Sequence, residues 1–175
     1  MKRKQIVDLS VAICLIVMGS FLLIFPLLNV LFVKYIFMGV LVICGIINLI
    51  QYILTSESKD IEGLLTMGAS IITLILVGLL DIEKNPLNMA IVLFVWITLM
   101  SIIKLKKCDY YHDRHHKIWV LKMITLLIFI IVGLLSVINL YYDHATQLLV
   151  LGYFFFTHGI LELTDPITVY LLENK

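Results

Sequence analysis

Three ionisable side chains near the end of the chain lie at helical spacing. His158, Glu162 and Asp165 are separated by four and then three residues, so a helix would place them along one stripe. The surrounding sequence is apolar, and a charged group inside such a segment is costly enough to suggest a proton or ion pathway. The stripe is also compatible with carboxylates near a membrane interface beside a packing histidine, or with a metal site, for which a His/Glu pair is a weak signal.

An internal repeat adds Lys104 to this group. A pentapeptide with a small residue, two aliphatic residues, one polar residue and a leucine occurs three times, as Gly45-Ile-Ile-Asn-Leu49, Ser101-Ile-Ile-Lys-Leu105 and Gly159-Ile-Leu-Glu-Leu163. Asn48, Lys104 and Glu162 therefore occupy equivalent positions. Pseudo-threefold symmetry would bring them to one height, so we predict that Lys104 and Glu162 approach each other. As an exposed pair they would contribute about 0–1 kcal/mol, either as a structural contact or as a gate.

The segment from Lys104 to Lys117 also carries side chains of metal-ligand type. It is predicted to be a basic loop containing Cys108, His112, His115 and His116. Cys-x3-His-x2-His offers possible ligands, but a short basic loop beside a membrane ordinarily contacts anionic headgroups. Its histidines would gain charge in mild acid. We predict no bound metal and no cofactor.

The composition indicates whether water or lipid surrounds the segments that carry these residues. The chain of 175 residues is 62% hydrophobic and 14% charged, with a mean hydropathy of +1.08, whereas soluble domains are roughly a quarter charged. A soluble core of this length could not cover so much apolar surface, so lipid is the expected partner. Self-association to a homo-oligomer stays open. The three cysteines do not indicate a disulfide framework.

The hydropathy pattern predicts an all-α integral membrane protein that forms one membrane domain, 1–175. Six apolar segments of about 16 to 25 residues each match the length needed to cross a bilayer. They run over Ile6–Phe25, Val30–Leu54, Leu64–Leu80, Leu87–Ile103, Ile118–Leu140 and Leu148–Leu163. Asp165-Pro166 is expected to end or kink the last helix. Asp8 is expected in the first turn of the first helix, where a carboxylate suits the helix dipole.

These segments form three tandem hairpins with the same orientation. The motif Leu15-Ile-Val-Met-Gly19 is repeated as Leu74-Ile-Leu-Val-Gly78 and Phe129-Ile-Ile-Val-Gly133, at periods of 55 to 59 residues. The repeats are 6–54, 62–105 and 118–165. Small and hydroxyl residues are expected to let helices pack closely; they are Thr66, Ser70 and Thr73 in the third segment and Gly133 and Ser136 in the fifth.

The distribution of basic residues predicts the orientation. With an inside N-terminus, 11 of the 13 lysines and arginines lie on the cytoplasmic side, and only Lys34 and Lys84 lie outside. This bias predicts that both termini are cytoplasmic.

The threefold motif resembles the HdeD-like acid-resistance membrane proteins, over about residues 6 to 165. Ser101 in the middle repeat and the missing turn proline in the third depart from that pattern. The resemblance implies a bacterial inner-membrane protein linked to acid or envelope stress, with no catalytic residues.

The alternative is a small transporter or channel that uses the stripe at His158 and Glu162. An enzyme is not expected, because no nucleophile, base and metal converge, and no phosphate loop, HExxH or nucleic-acid-binding patch is present.

Overall fold

Apolar segments of the chain form long helices. The computed structural model describes residues 3–25, 30–55, 62–82, 85–113, 118–140 and 146–173. These residues form six helices, which are α1 (Arg3–Ile24), α2 (Val30–Thr55), α3 (Glu62–Leu79), α4 (Pro86–Asp113), α5 (Ile118–Leu140) and α6 (Gln147–Glu173). The described part of the chain contains no strand. The predicted all-α class is therefore confirmed.

The helices have the length and surface of membrane-spanning segments. Within the described residues, five helices are long and apolar enough to cross a membrane, and α2 contains a shorter apolar stretch, Lys34–Ile50. Their outward faces expose large aliphatic side chains such as Leu79, Leu127 and Ile138. Helices satisfy their own backbone hydrogen bonds, so such surfaces are stable in lipid.

The six helices are arranged as a closed ring around an apolar core. Each helix contacts the next one in the chain, and α1 closes the ring by packing on α6. The most extensive contacts join α1 to α6, α2 to α3, and α4 to α5, while the contacts within α1–α2, α3–α4 and α5–α6 are smaller. Phe37, Leu93, Phe129 and Phe154 are among the fully buried core side chains.

Glycine permits backbone contact in the closing pair, α1 and α6. A Cβ atom on Gly19 would overlap the backbone nitrogen of Phe156, and one on Gly159 would lie 2.8 Å from the backbone nitrogen of Ile16. Two helices can approach this closely only where no side chain stands between them. The first and last helices therefore pack against each other along their backbones.

The other two extensive pairs also have a glycine between them. A Cβ atom on Gly63 of α3 would lie 2.7 Å from the carbonyl oxygen of Asn48 on α2, and one on Gly133 of α5 would lie 2.8 Å from Ile97 on α4. Gly78, by contrast, is exposed and has open space around its Cα. Its sequence motif matches those of Gly19 and Gly133, but its surroundings do not.

Hydroxyl side chains on α3 and α5 are buried as expected for packing faces. Thr66, Ser70 and Thr73 on α3 and Ser136 on α5 each donate a hydrogen bond to the backbone carbonyl four residues earlier, at 2.8–3.0 Å. The hydroxyls are thus satisfied within their own helix, and the small side chains leave room for a neighbour.

Two predicted boundaries are wrong. The loop expected from Lys104 is helical as far as Asp113, because no glycine or proline interrupts the segment and Cys108 packs into the interior with 3% exposure. Of the two outcomes expected at Asp165-Pro166, an end or a kink, the end is wrong, because the last helix continues through Pro166 to Glu173. Proline removes one backbone hydrogen-bond donor from this turn. The hydroxyl of Thr168 adds a hydrogen bond to the same turn, because it donates to the carbonyl of Thr164 at 2.6 Å.

Candidate functional site: a charged cavity at one end of the ring

A small polar cavity lies at the end of the ring where α1, α3 and α5 begin. Its volume is about 60 Å³, and residues of all six helices line it. Its charged lining residues among those described are Asp8 on α1, Glu62 on α3, Lys104 and Lys107 on α4, Lys122 on α5 and Glu162 on α6. We call this space the charged cavity. It is large enough for a few water molecules or one small ion and far smaller than the usual pocket for an organic ligand.

Glu162 is held by two side chains at once. The Lys104 ammonium forms an ion pair with Glu162 Oε1, and His158 Nε2 donates a hydrogen bond to the same oxygen at 3.1 Å. The predicted approach of Lys104 to Glu162 is therefore confirmed. Each of the two charged side chains is only 18% exposed, so the pair is less accessible to water than the rim position predicted from the sequence.

Lys104 also contacts an aromatic face. Its ammonium lies 5.3 Å from the centroid of the Phe129 ring on α5, within the range of a cation–π interaction. Lys104 thus bridges three helices: its own α4, α5 through Phe129, and α6 through Glu162. The ion pair fixes how these three helices meet at the charged cavity.

His158 is packed inside the bundle. It is 2% exposed, and its ring packs against both Phe129 and Phe154, at centroid distances of 4.7 and 5.7 Å. Its Nδ1 atom has no hydrogen-bond partner among the described residues. His158 does not line the charged cavity, but Glu162 does. The carboxylate therefore stands between the cavity and the buried imidazole.

A second ion pair lies beside the first. Lys107 Nζ is 2.6 Å from Glu62 Oε1 and joins α4 to α3. Sequence reasoning missed this pair because it placed Lys107 in a loop. Once α4 is extended, the spacing of three residues puts Lys104 and Lys107 on one helical face, and that spacing was the available signal.

Asp8 and Lys122 were also missed as site residues. Asp8 lies in the second turn of α1, not the predicted first turn, and it lines the charged cavity. Lys122 is 5% exposed, and its ammonium lies 5.5 Å from the centroid of the Tyr111 ring. Each is a charged residue within an otherwise apolar segment, and this pattern could have identified them.

Of the other residues singled out in the sequence, Cys108 also lines the charged cavity. Asp165 belongs to α6, but its side chain lies outside the described residues, as do His115 and His116. Cys108 is buried and His112 is exposed, so they face different surroundings. Within the described ranges, no group of three or more His, Cys, Asp or Glu side chains is arranged to hold a metal ion.

Comparison with known proteins found no relative. No protein-family model, curated protein or solved structure matches the chain. The resemblance to the HdeD-like proteins therefore rests on the internal motifs alone, and the charged cavity is the feature from which a function can be inferred.

Proposed function

We propose that this chain is a multi-pass membrane protein without enzymatic activity that responds to acid through Glu162. The observation that carries the proposal is the position of this carboxylate: it lines the charged cavity while it accepts contacts from Lys104 and His158. A proton that enters the cavity reaches Glu162 without crossing the apolar core. The acid response is consistent with the HdeD-like resemblance, which adds a bacterial cell membrane and a role in acid or envelope stress.

Protonation of Glu162 would release the contact between helices. The neutral carboxyl no longer pairs with the Lys104 ammonium, which then remains as an uncompensated charge in a poorly solvated place. The stabilisation from the pair is present where Glu162 is ionised and is lost as the pH falls. Because Lys104 joins α4, α5 and α6, we expect the packing of these helices at the cavity to weaken in acid.

The proposal includes three tandem repeats, 6–54, 62–105 and 118–165. In its support, the three most extensive helix contacts each join one repeat to the next, with α6 to α1 closing the cycle. Asn48, Lys104 and Glu162, which are equivalent in the repeat, all line the charged cavity. Three hairpins around one axis would produce both features.

A transporter or channel is the second candidate, and one observation favours it. All six helices contribute to the charged cavity, as in membrane proteins where a solute path runs between helices. The candidates differ in what crosses the bilayer. Vesicles that contain the purified protein should be no more permeable to protons than empty vesicles if the acid response is conformational, and more permeable if the protein is a channel.

The acid response can be tested by the pH dependence of thermal unfolding of the full chain in detergent. We expect the unfolding temperature of the wild type to decrease between neutral and acidic pH. Glu162→Gln, which cannot be ionised, should be less stable at neutral pH and much less sensitive to pH. His158→Gln, which keeps a donor for Glu162 but cannot titrate, should change the midpoint of this pH dependence.

The control is a triple variant, His112→Gln, His115→Gln and His116→Gln. His112 is exposed and does not line the charged cavity, so the triple variant should keep the wild-type response. Loss of the response in this variant, with the response intact in Glu162→Gln and His158→Gln, would place the sensor in the basic segment and reject the proposal.

A further inference from the structure

We propose that the charged cavity binds one small monovalent anion when Glu162 becomes protonated. The proposal rests on the acid response described above and adds a ligand to it: an inorganic anion of the size of chloride. Proton and anion would enter the same cavity, so the two binding events would be coupled.

Opposite charges are balanced around the cavity. The described lining contains three carboxylates, those of Asp8, Glu62 and Glu162, and three ammonium groups, those of Lys104, Lys107 and Lys122. The ionisable groups around Glu162 are, by helix, Asp8 on α1, Cys44 on α2, Glu62 on α3, Lys104, Lys107 and Cys108 on α4, Lys122 on α5 and His158 on α6. With Glu162 ionised, the charges of the described lining residues balance. One added proton leaves one excess positive charge.

An excess charge in a largely enclosed space has to be compensated. An unpaired ion away from water is costly, so either a group loses its proton or a counter-ion enters. The Phe129 ring 5.3 Å from the Lys104 ammonium contacts the cation but carries no net charge that could balance it. Entry of an anion would restore neutrality in this space.

The positions of the charged side chains indicate where in the cavity this anion would bind. All three lysines are on α4 and α5, which are neighbours in the ring, whereas the carboxylates are on α1, α3 and α6. The side formed by α4 and α5 therefore carries the three ammonium groups, of which Lys107 stays paired with Glu62 and Lys104 loses its partner when Glu162 is protonated. The Asn48 amide lines the same cavity and donates to the carbonyl of Cys44 at 2.7 Å, and its second N–H has no hydrogen bond to the described residues.

The volume restricts the ligand. A cavity of about 60 Å³ has room for a halide or a few waters but not for an organic anion such as gluconate. Chloride and gluconate at equal ionic strength therefore form a matched pair of probes, because they differ in size while the screening of surface charge is the same.

The test uses thermal unfolding of the full chain in detergent, with sodium chloride replaced stepwise by sodium gluconate. A ligand that binds only the folded state raises the unfolding temperature with concentration. We expect Glu162→Gln, which mimics the protonated carboxyl, to gain about 3–6 °C for each tenfold rise in saturating chloride at neutral pH. The wild type should show this gain only in acid.

Two variants isolate the site. Asp109→Asn removes an exposed carboxylate of α4 and should behave as the wild type. The double variant Lys104→Met/Glu162→Gln removes one charge of each sign, so its cavity is balanced and should not respond to chloride. Should Glu162→Gln not fold, the wild type in acid supplies the same comparison between chloride and gluconate.

The outcomes separate the anion site from the proposed function. A wild type that responds to acid equally in chloride and gluconate, with a Glu162→Gln variant indifferent to chloride, would reject the anion site and leave the acid response standing. A Glu162→Gln variant stabilised by chloride, with a wild type insensitive to pH, would support the site and reject the acid response. A chloride effect in the double variant as large as in Glu162→Gln would place the anion elsewhere and overturn the proposal.

Discussion

At the scale of single residues, the central feature is the ion pair between Lys104 and Glu162. The positions of these residues in a repeated pentapeptide predict it without knowledge of the helix arrangement. The sequence does not indicate how far the pair is shielded. Side chains from other helices shield it, and Phe129 and His158 become its neighbours only after folding.

The shielding changes the energy that we expect from the pair. At 18% exposure the coupling free energy should be about 1–3 kcal/mol, above the 0–1 kcal/mol typical of exposed pairs. A double-mutant cycle with Lys104→Met and Glu162→Gln, followed by unfolding in detergent, measures this value. The exposed contact of His112 with Asp113 at 3.8 Å is the control and should show almost no coupling. Equal coupling in the two cycles would contradict the expected shielding.

At the scale of helices, glycine determines which pairs pack most closely. The sequence indicates small residues at Gly19 and Gly133, and both lie in extensive helix contacts. It also indicates Gly78 by the same motif, but that residue is exposed. A helix of nearly uniform hydrophobicity does not reveal which face meets a protein neighbour and which meets lipid, because both faces are apolar.

This contrast leads to a prediction for two glycine variants. Gly19→Ala places a methyl group against the backbone of α6 and should destabilise the protein by about 1–3 kcal/mol, as overpacking does. Gly78→Ala meets open space and should be neutral or slightly stabilising, because alanine favours helix. Unfolding of both variants in detergent provides the comparison. Similar stabilities for the two would show that α1 and α6 are not in backbone contact.

The boundaries of helices were harder to predict than their existence. Charged residues after Ile103 suggested that α4 leaves the membrane and becomes a loop. The helix continues because Lys104, Lys107 and Cys108 lie on its inner face, where two carboxylates and the apolar interior receive them. Such partners come from distant parts of the sequence, so local composition does not reveal them.

At the scale of the whole molecule, the class of fold was predictable and the order of packing was not. Hydropathy alone indicated long apolar helices, because the bilayer imposes their length. The hairpin pattern pairs each helix with its partner in the repeat but does not indicate how closely the two helices pack. The structure places the larger contacts between α2 and α3, α4 and α5, and α6 and α1.

The orientation in the membrane is also a prediction about the whole molecule. The bias of 11 basic residues to 2 predicts that the helix ends bearing the charged cavity face the cytoplasm. In a background without native cysteines, Lys84→Cys and Asp143→Cys should react with an impermeant thiol reagent added to intact cells. Ser58→Cys is the matched position on the other side and should not react. Labelling of Ser58→Cys alone would invert the orientation.

The contact between α1 and α6 also affects biosynthesis. Helices α1 and α6 are separated by four other helices in the chain, so they can meet only after all the intervening residues have been synthesised. At about 5–20 residues per second, α1 would wait about 7–30 s for its principal partner, with Asp8 not yet enclosed by the other five helices. Formation of the helices and closure of the ring are therefore expected to be separate stages, and a chain that stops before α6 would leave the ring open.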